Sequence, residues 1–133
     1  MIKKLVVRAA GISLVLLAGT AVNPVYAQDS NGYNLGFLAS ESGDYTTAAK
    51  QWQPLASQGD ALAQFNLALM YHRGLGVNLD EGKAVSWYQK SAENGYSKAQ
   101  EFLAVAYREG WFGLAQDQKK AEYWDKQIEN SSF

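Results

Sequence analysis

Residues 59–77 read GDALAQFNLALMYHRGLGV, and the same pattern returns 36 positions later, over residues 95–113, as GYSKAQEFLAVAYREGWFG. The two segments share two glycines and, between them, the same alanine, glutamine, leucine and tyrosine positions. After one inserted loop residue the match continues, so that Asp80 and Trp87 correspond to Asp117 and Trp124. A weaker copy precedes both. Internal repetition at this period is typical of helical-repeat proteins, in which each unit is a pair of helices.

The spacing of apolar residues within each repeat is helical. Ala63, Leu67 and Tyr71 form one stripe, and Ala84, Tyr88 and Ala92 belong to a second. Helix starts are predicted at the N-capping aspartates, and helix ends at left-handed glycines. The aspartates are Asp44, Asp80 and Asp117; the glycines are Gly43, Gly59, Gly74, Gly95 and Gly110. The helices predicted from these signals span residues 31–41, 45–58, 60–73, 80–94, 96–109 and 117–130.

The sequence therefore predicts an all-α fold, a right-handed α-α superhelix (solenoid) of about three helix-turn-helix pairs. Its units are a degenerate pair at 31–59 and repeats at 60–95 and 96–130, within a repeat domain of residues 28–133. Alanines on facing helices allow the helix axes to approach closely. Large aromatic side chains are predicted to fill the space between neighbouring pairs: Trp52, Trp87, Tyr88 and Trp124.

The first 27 residues differ from the rest of the chain. Three basic residues within the first eight precede an almost uncharged apolar run, which Pro24 ends before a small-residue cleavage site at Ala27. The run is shorter than the roughly 20 residues that cross a bilayer. We therefore predict a signal peptide over residues 1–27, export to the periplasm or secretion, and no integral membrane segment after cleavage. An uncleaved N-terminal anchor helix is the alternative.

The repeats resemble the Sel-one-like repeats (SLR), which are relatives of the tetratricopeptide repeats. The resemblance rests on residues 63–77, AQFNLALMYHRGLGV, followed by Asp80, Lys83-Ala84, Trp87-Tyr88 and Lys90-Ser91-Ala92. The next repeat is looser, and its Trp111-Phe112-Gly113 loop is one residue longer. The resemblance implies an adaptor that organises other proteins, often in secreted or envelope pathways, and few members of this family have an enzymatic activity.

Residue usage limits the chemistry that the chain can perform. It contains no cysteine and one histidine, His72, which excludes thiolate nucleophiles, disulfides and metal sites built from several histidines. No serine is followed three positions later by lysine, the arrangement of penicillin-recognising enzymes. A cysteine-rich branch of the SLR family is linked to β-lactam binding or hydrolysis, but this cysteine-free chain departs from that branch. We predict no catalytic residue, no metal and no cofactor.

The charge balance argues against nucleic acid as a partner. Three of the 12 basic residues, Lys3, Lys4 and Arg8, belong to the predicted signal peptide, whereas all 13 acidic residues lie after it. Cleavage would therefore change the net charge from −1 to about −4. The basic pair Lys119-Lys120 lies beside acidic residues and is read as a solvated helix face.

A second stripe on the first helix of each pair is the candidate protein-binding groove. In such arrays the first helices line the inner face. The stripe consists of Tyr33 and Phe37 with Ser40 and Glu41; Leu62, Phe65, Leu69, His72 and Arg73; and Lys98, Glu101, Val105, Arg108 and Glu109. An apolar floor with a charged rim suits a peptide or extended polypeptide. Packing of Phe65 and Leu69 against a neighbouring helix is an equally supported alternative.

Two classes of function are therefore compatible with the sequence. The favoured one is a periplasmic or secreted protein-binding adaptor without enzymatic activity, whose partner is a protein or peptide. The alternative is a cell-wall- or carbohydrate-active enzyme or its accessory subunit, including a β-lactamase-like activity.

Overall fold

The structure, a computed structural model, describes the backbone of residues 24–131 and the side chains of residues 31–131. This part of the chain is all-helical, with no strand. Its helices are α1 (Pro24–Glu41), α2 (Tyr45–Ser57), α3 (Ala61–Arg73), α4 (Glu81–Glu93), α5 (Ser97–Glu109) and α6 (Gln118–Ser131). Consecutive helices make the main packing contacts, which is the arrangement of an α-solenoid.

The predicted helix boundaries agree with the structure to within one residue, except at the start of α1. That helix begins at Pro24, seven residues before the predicted start at residue 31. Proline is favoured in the first turn, where its missing N–H would have no helical partner. Most of the predicted signal peptide, residues 1–23, lies outside the described residues, and α1 continues through the predicted cleavage position after Ala27.

Aspartates begin the helices, as the repeat pattern predicts. The Oδ1 atoms of Asp44, Asp80 and Asp117 accept bonds from the backbone N–H three residues later, at 2.9–3.1 Å. Asp60 caps α3 in the same way, 2.7 Å from the Ala63 nitrogen. The repeat pattern did not predict this cap, because the equivalent position in the next repeat is Tyr96 and not an aspartate. Tyr96 makes no side-chain cap bond.

Two apolar cores follow each other along the array, and α3 contributes to both. The first lies between α1, α2 and α3 and is built around Trp52, with Ala63, Leu67 and Met70 from α3. The second runs from α3 to α6 around Tyr88 and includes Ala68. Trp87 was predicted to fill the core, but it is only partly buried and packs against the margins of both clusters.

A buried glutamine joins each repeat to the preceding helix. The side-chain amide of Gln64 donates to the carbonyl of Ala56, and that of Gln100 donates to the carbonyl of Ala92, both at 3.0 Å. Each carbonyl lies at a helix end and also accepts from the backbone N–H of Gly59 or Gly95, so the glutamine amide is its second donor. The repetition of the bond at the same shift shows that the sequence period is also a structural period.

Candidate binding cleft

An open cleft of about 470 Å³ lies where α1 and α3 meet the beginning of α5. Its walls are mainly aromatic and aliphatic, with charged groups among them. The lining residues are Tyr33, Phe37, Ser40, Glu41, Tyr45, Trp52, Leu62, Phe65, Asn66, Leu69, Met70, Arg73, Leu75, Tyr96 and Lys98.

The structure brings one part of the predicted groove to this cleft and not the rest. Tyr33, Phe37, Leu62, Phe65, Leu69, Arg73 and Lys98 line it, together with Ser40 and Glu41. His72, Glu101, Val105, Arg108 and Glu109 do not. Sequence reasoning missed Tyr45, Trp52, Asn66, Met70, Leu75 and Tyr96. Four of these six lie on α2, in a loop or at a cap, outside the stripe of first helices.

Trp52 on α2 forms part of the wall and is held tightly. Only 4% of its surface is exposed, its indole N–H donates to the Tyr33 carbonyl at 3.2 Å, and its ring centroid lies 6.1 Å from that of Tyr33. A Cβ at position 36 would overlap the indole Nε1 atom, so this close approach of α1 to Trp52 requires glycine there. The aromatic wall is therefore fixed before any ligand arrives.

Phe65 has both of the roles that the sequence left open. Its ring meets Tyr88 edge-on at 5.5 Å and Tyr96 at 5.0 Å, at the margin of the second core. It is nevertheless only partly buried, and it lines the cleft. A substitution of Phe65 would therefore disturb the fold as well as the cleft. Phe37, with 48% of its surface exposed, is the better probe of the cleft itself.

Charges in the cleft have no partner within the described part of the chain. The ion pairs among the described residues join Lys83 to Asp80, Arg108 to Asp125 and Lys120 to Asp117, and none of these residues lines the cleft. Glu41, Arg73 and Lys98 belong to none of them. An ionic group of a ligand would therefore not have to break an existing ion pair to reach these side chains.

His72 and Arg108 occupy the same repeat position as Gly36, and each faces the helix that follows it. Gly36 lies against Trp52; His72 Nδ1 is 3.2 Å from the Tyr88 hydroxyl; and Arg108 is 2.7 Å from Asp125. The contact between this repeat position and the following helix is therefore packing on an aromatic ring at Gly36, a hydrogen bond at His72 and an ion pair at Arg108. These pairings explain why neither side chain reaches the cleft.

The next junction of the array, between α3 and α5, is filled by aromatic side chains. Phe102 stacks on Tyr88 with ring centroids 3.9 Å apart, and Phe112 lies edge-on to His72 at 4.5 Å. Phe112 has a left-handed backbone, with φ of 58°, close to the 68° of Gly76 in the preceding repeat. Trp111 extends the cluster at its exposed side.

The pKa of His72 is depressed mainly by burial, and also by the nearby charge of Arg73, while Glu81 acts in the opposite direction. Burial raises the pKa of Tyr88 to about 12, so its hydroxyl stays protonated and can donate to the neutral imidazole. The unfolded chain therefore takes up a proton near pH 6.5 that the folded chain takes up only at lower pH.

We expect His72 to make the protein less stable as the pH falls from about 7.5 to about 5.5. The stabilisation is present above the unfolded pKa and is lost as the pH falls towards the lower folded pKa. His72→Gln should flatten this part of the curve, as measured by urea unfolding across the range. Equal slopes for the two proteins would contradict the assignment to His72.

Neither metal-binding groups nor a membrane span is found in the described part of the chain. Over residues 31–131 no three His, Cys, Asp or Glu side chains are grouped so that they could hold a metal ion. None of the described helices is both long enough and apolar enough to cross a bilayer.

Comparison with known proteins identifies the repeats. The Sel1 (Sel-one-like) repeat family matches residues 61–96 and 97–124, which contain α3 to α6. Sixty-four residues are 42% identical to the DAP3-binding cell death enhancer 1 of Rattus norvegicus, covering 48% of this chain and 13% of that protein. The chain therefore spans only about an eighth of this curated relative.

Solved structures extend the similarity to most of the array. A Sel1 repeat protein from Oxalobacter formigenes superposes with a TM-score of 0.72 at 28% identity, over 83% of this chain and 47% of its own. A protective antigen present in uropathogenic Escherichia coli strains, displaying an SLR fold, superposes with a TM-score of 0.69 at 30% identity, over 82% of this chain and 24% of its own. With the repeated helix pairs and the family match, these similarities establish that the chain belongs to the Sel1-like repeat family of helical-repeat proteins.

Proposed function

We propose that this protein is an exported scaffold that binds a protein or peptide partner in the cleft between α1 and α3. The observation that carries the proposal is the cleft itself, because it combines a rigid aromatic wall with charged groups that have no partner in the described chain. Concave, largely apolar sites with a few polar groups are the usual form of binding sites.

The family supports the same class of function. Sel1 repeats mediate protein–protein interactions, and proteins built from them are in general non-catalytic scaffolds. The rat relative is itself named for binding a protein. No observation favours the alternative of a cell-wall- or carbohydrate-active enzyme. Export is supported by the basic and apolar start of the sequence, with a mature chain that begins at Gln28.

Two neighbouring residues on α1 provide a matched test of the cleft. Phe37 and Leu38 are both exposed, at 48% and 63%, but only Phe37 lines the cleft. Affinity capture from envelopes of the producing cells, quantified by mass spectrometry, should lose the partner with Phe37→Ser and keep it with Leu38→Ser. Loss of an aromatic anchor costs about 2 kcal/mol, or about thirtyfold in affinity.

Equal capture by the two variants would show that the partner does not use the cleft. Intact mass of the protein from the periplasmic and membrane fractions tests export separately. Recovery of mainly the unprocessed chain in the membrane fraction would contradict cleavage after Ala27.

A further inference from the structure

The turn between α4 and α5 contains an asparagine followed by a glycine. Asn94 is the C-cap of α4, and Gly95 connects it to Tyr96 at the start of α5. Asn94 and Gly95 are both exposed. Gly95 has a φ of +88°, and a Cβ added to it would meet no atom within 4 Å. The turn is therefore open to water and has room for its backbone to move.

An asparagine followed by glycine can react with its own main chain. The backbone nitrogen of the glycine attacks the side-chain carbonyl carbon, and a cyclic imide forms. The side-chain amide nitrogen leaves as ammonia, taking the proton of the attacking N–H. Water then opens the ring at either of its carbonyls and gives aspartate or isoaspartate. Glycine favours the attack because it has no Cβ to crowd the ring, and asparagine is one of the thermolabile residues of proteins.

Two hydrogen bonds hold this turn in the folded protein. The side-chain amide of Asn94 donates to Gln64 Oε1 at 3.0 Å, and the N–H of Gly95 donates to the carbonyl of Ala92 at 3.0 Å. Both bonds have to break before the Gly95 nitrogen reaches the Asn94 side chain. They lie at an exposed helix end, where local opening costs much less free energy than global unfolding.

We propose that Asn94-Gly95 is a site of spontaneous deamidation, and that the carboxylate formed there releases the bond that joins the end of α4 to Gln64 on α3. The reaction consumes water and needs neither an enzyme nor a cofactor. It proceeds from the folded protein through opening of the last turn of α4.

The aspartate product places two acceptors against each other. Gln64 cannot turn its amide towards the new carboxylate without giving up its bond to the carbonyl of Ala56. The new charge also lies beside Glu93, at the carbonyl end of α4, where the helix dipole disfavours it. Gln100, the repeat equivalent of Gln64, has no partner for its Oε1 atom among the described residues. The lost bond is therefore not duplicated at the next junction.

The isoaspartate product acts through the backbone as well. Its main chain runs through the former side chain and is longer by one methylene group, two residues before Tyr96. Tyr96 contacts the ring of Phe65 at 5.0 Å and lines the cleft. The modification therefore reaches the wall of the cleft.

Two tryptic peptides of the same protein provide the site and its control. Trypsin releases residues 91–98, in which Asn94 is the only side-chain amide. It also releases residues 74–83, in which the only one is Asn78, an exposed loop asparagine followed by Leu79. Protein purified from cells that express all 133 residues is kept at about pH 8 and about 37 °C for about two weeks, digested and mapped by mass spectrometry.

We expect residues 91–98 to gain about one mass unit at least about tenfold faster than residues 74–83, as two products that separate by chromatography. Asn94→Asp reproduces one product and should unfold at a lower urea concentration than the wild type. Asn78→Asp makes the same change of charge in the loop and should unfold close to the wild type.

Each part of the proposal has a result that would overturn it. Conversion of residues 91–98 no faster than that of residues 74–83 would show that the folded turn does not react. Faster conversion, with Asn94→Asp as stable as Asn78→Asp, would show that the junction does not depend on the Asn94 amide. If Asn94→Asp does not fold, the modified wild type is separated by anion exchange and unfolded in urea beside the unmodified protein, and equal midpoints would overturn the same point.

Discussion

Replacing Gly76 with alanine should destabilise the protein by about 2–4 kcal/mol. Gly76 has a φ of +68°, a conformation that costs an L-residue about 1–2 kcal/mol. In addition, a Cβ at this position would overlap the carbonyl group of Tyr45 and crowd the nitrogen of Thr46 at 2.6 Å. These atoms are backbone at the start of α2 and cannot move aside as a flexible side chain could, so the loop between α3 and α4 would have to lift off α2.

Gly113 provides the control because it has almost the same backbone conformation in open space. Its φ is +71°, and no atom lies within 4 Å of an added Cβ. Gly113→Ala should therefore cost only the conformational strain, about 1–2 kcal/mol. Urea unfolding followed by circular dichroism measures both. Losses of equal size would show that the loop does not depend on contact with Tyr45.

We expect Trp52→Ala to lower the free energy of unfolding by about 3–5 kcal/mol, the usual range for removing a buried large aromatic side chain. Trp52 is 4% exposed and lies in the first core between α1, α2 and α3. Its removal also takes the hydrogen-bond donor from the Tyr33 carbonyl. Because such a loss is a large fraction of the stability of a small domain, the variant is expected to melt well below the wild type.

Trp87→Ala is the comparison for this prediction. The sequence places Trp87 in the core, but in the structure its ring is partly buried and carries the Lys90 ammonium at 4.4 Å. We expect Trp87→Ala to cost less than Trp52→Ala, since less apolar surface leaves contact. Thermal melting of the two variants side by side checks the order. A larger loss for Trp87 would mean that the contact between the two cores matters more than burial within one.

The helices could be predicted because their signals are local and repeated. Asp44, Asp80 and Asp117 begin helices, and Gly74 and Gly110 end them in the left-handed conformation, as the pattern predicts. The start of α1 could not be located, because the first pair lacks the repeat glycines and aspartates on that side. Pro24 was interpreted as the end of an apolar run, whereas it also begins a helix.

The candidate site was only partly predictable because the two faces of a first helix look alike in sequence. Phe37 and Leu38 are both apolar neighbours on α1, yet only Phe37 lines the cleft. Arg108 shares the stripe of the predicted groove, but Asp125 on α6 binds it, and this partner is visible only once the helices are packed. Trp52 was assigned to the core alone, since nothing in the sequence shows that this buried side chain also reaches the wall of the cleft.

The contribution of α3 to both cores has a consequence for how the protein is degraded. A chain cut between α2 and α3 would lose the partner of Ala63, Leu67 and Met70 while keeping the second core. The remaining fragment would present this apolar face to water and would be prone to aggregation and to recognition by proteases. The first helix pair, although it is the most divergent, therefore also protects the two regular repeats, and a shorter version of the array that begins at α3 would have to acquire a new polar surface on that helix.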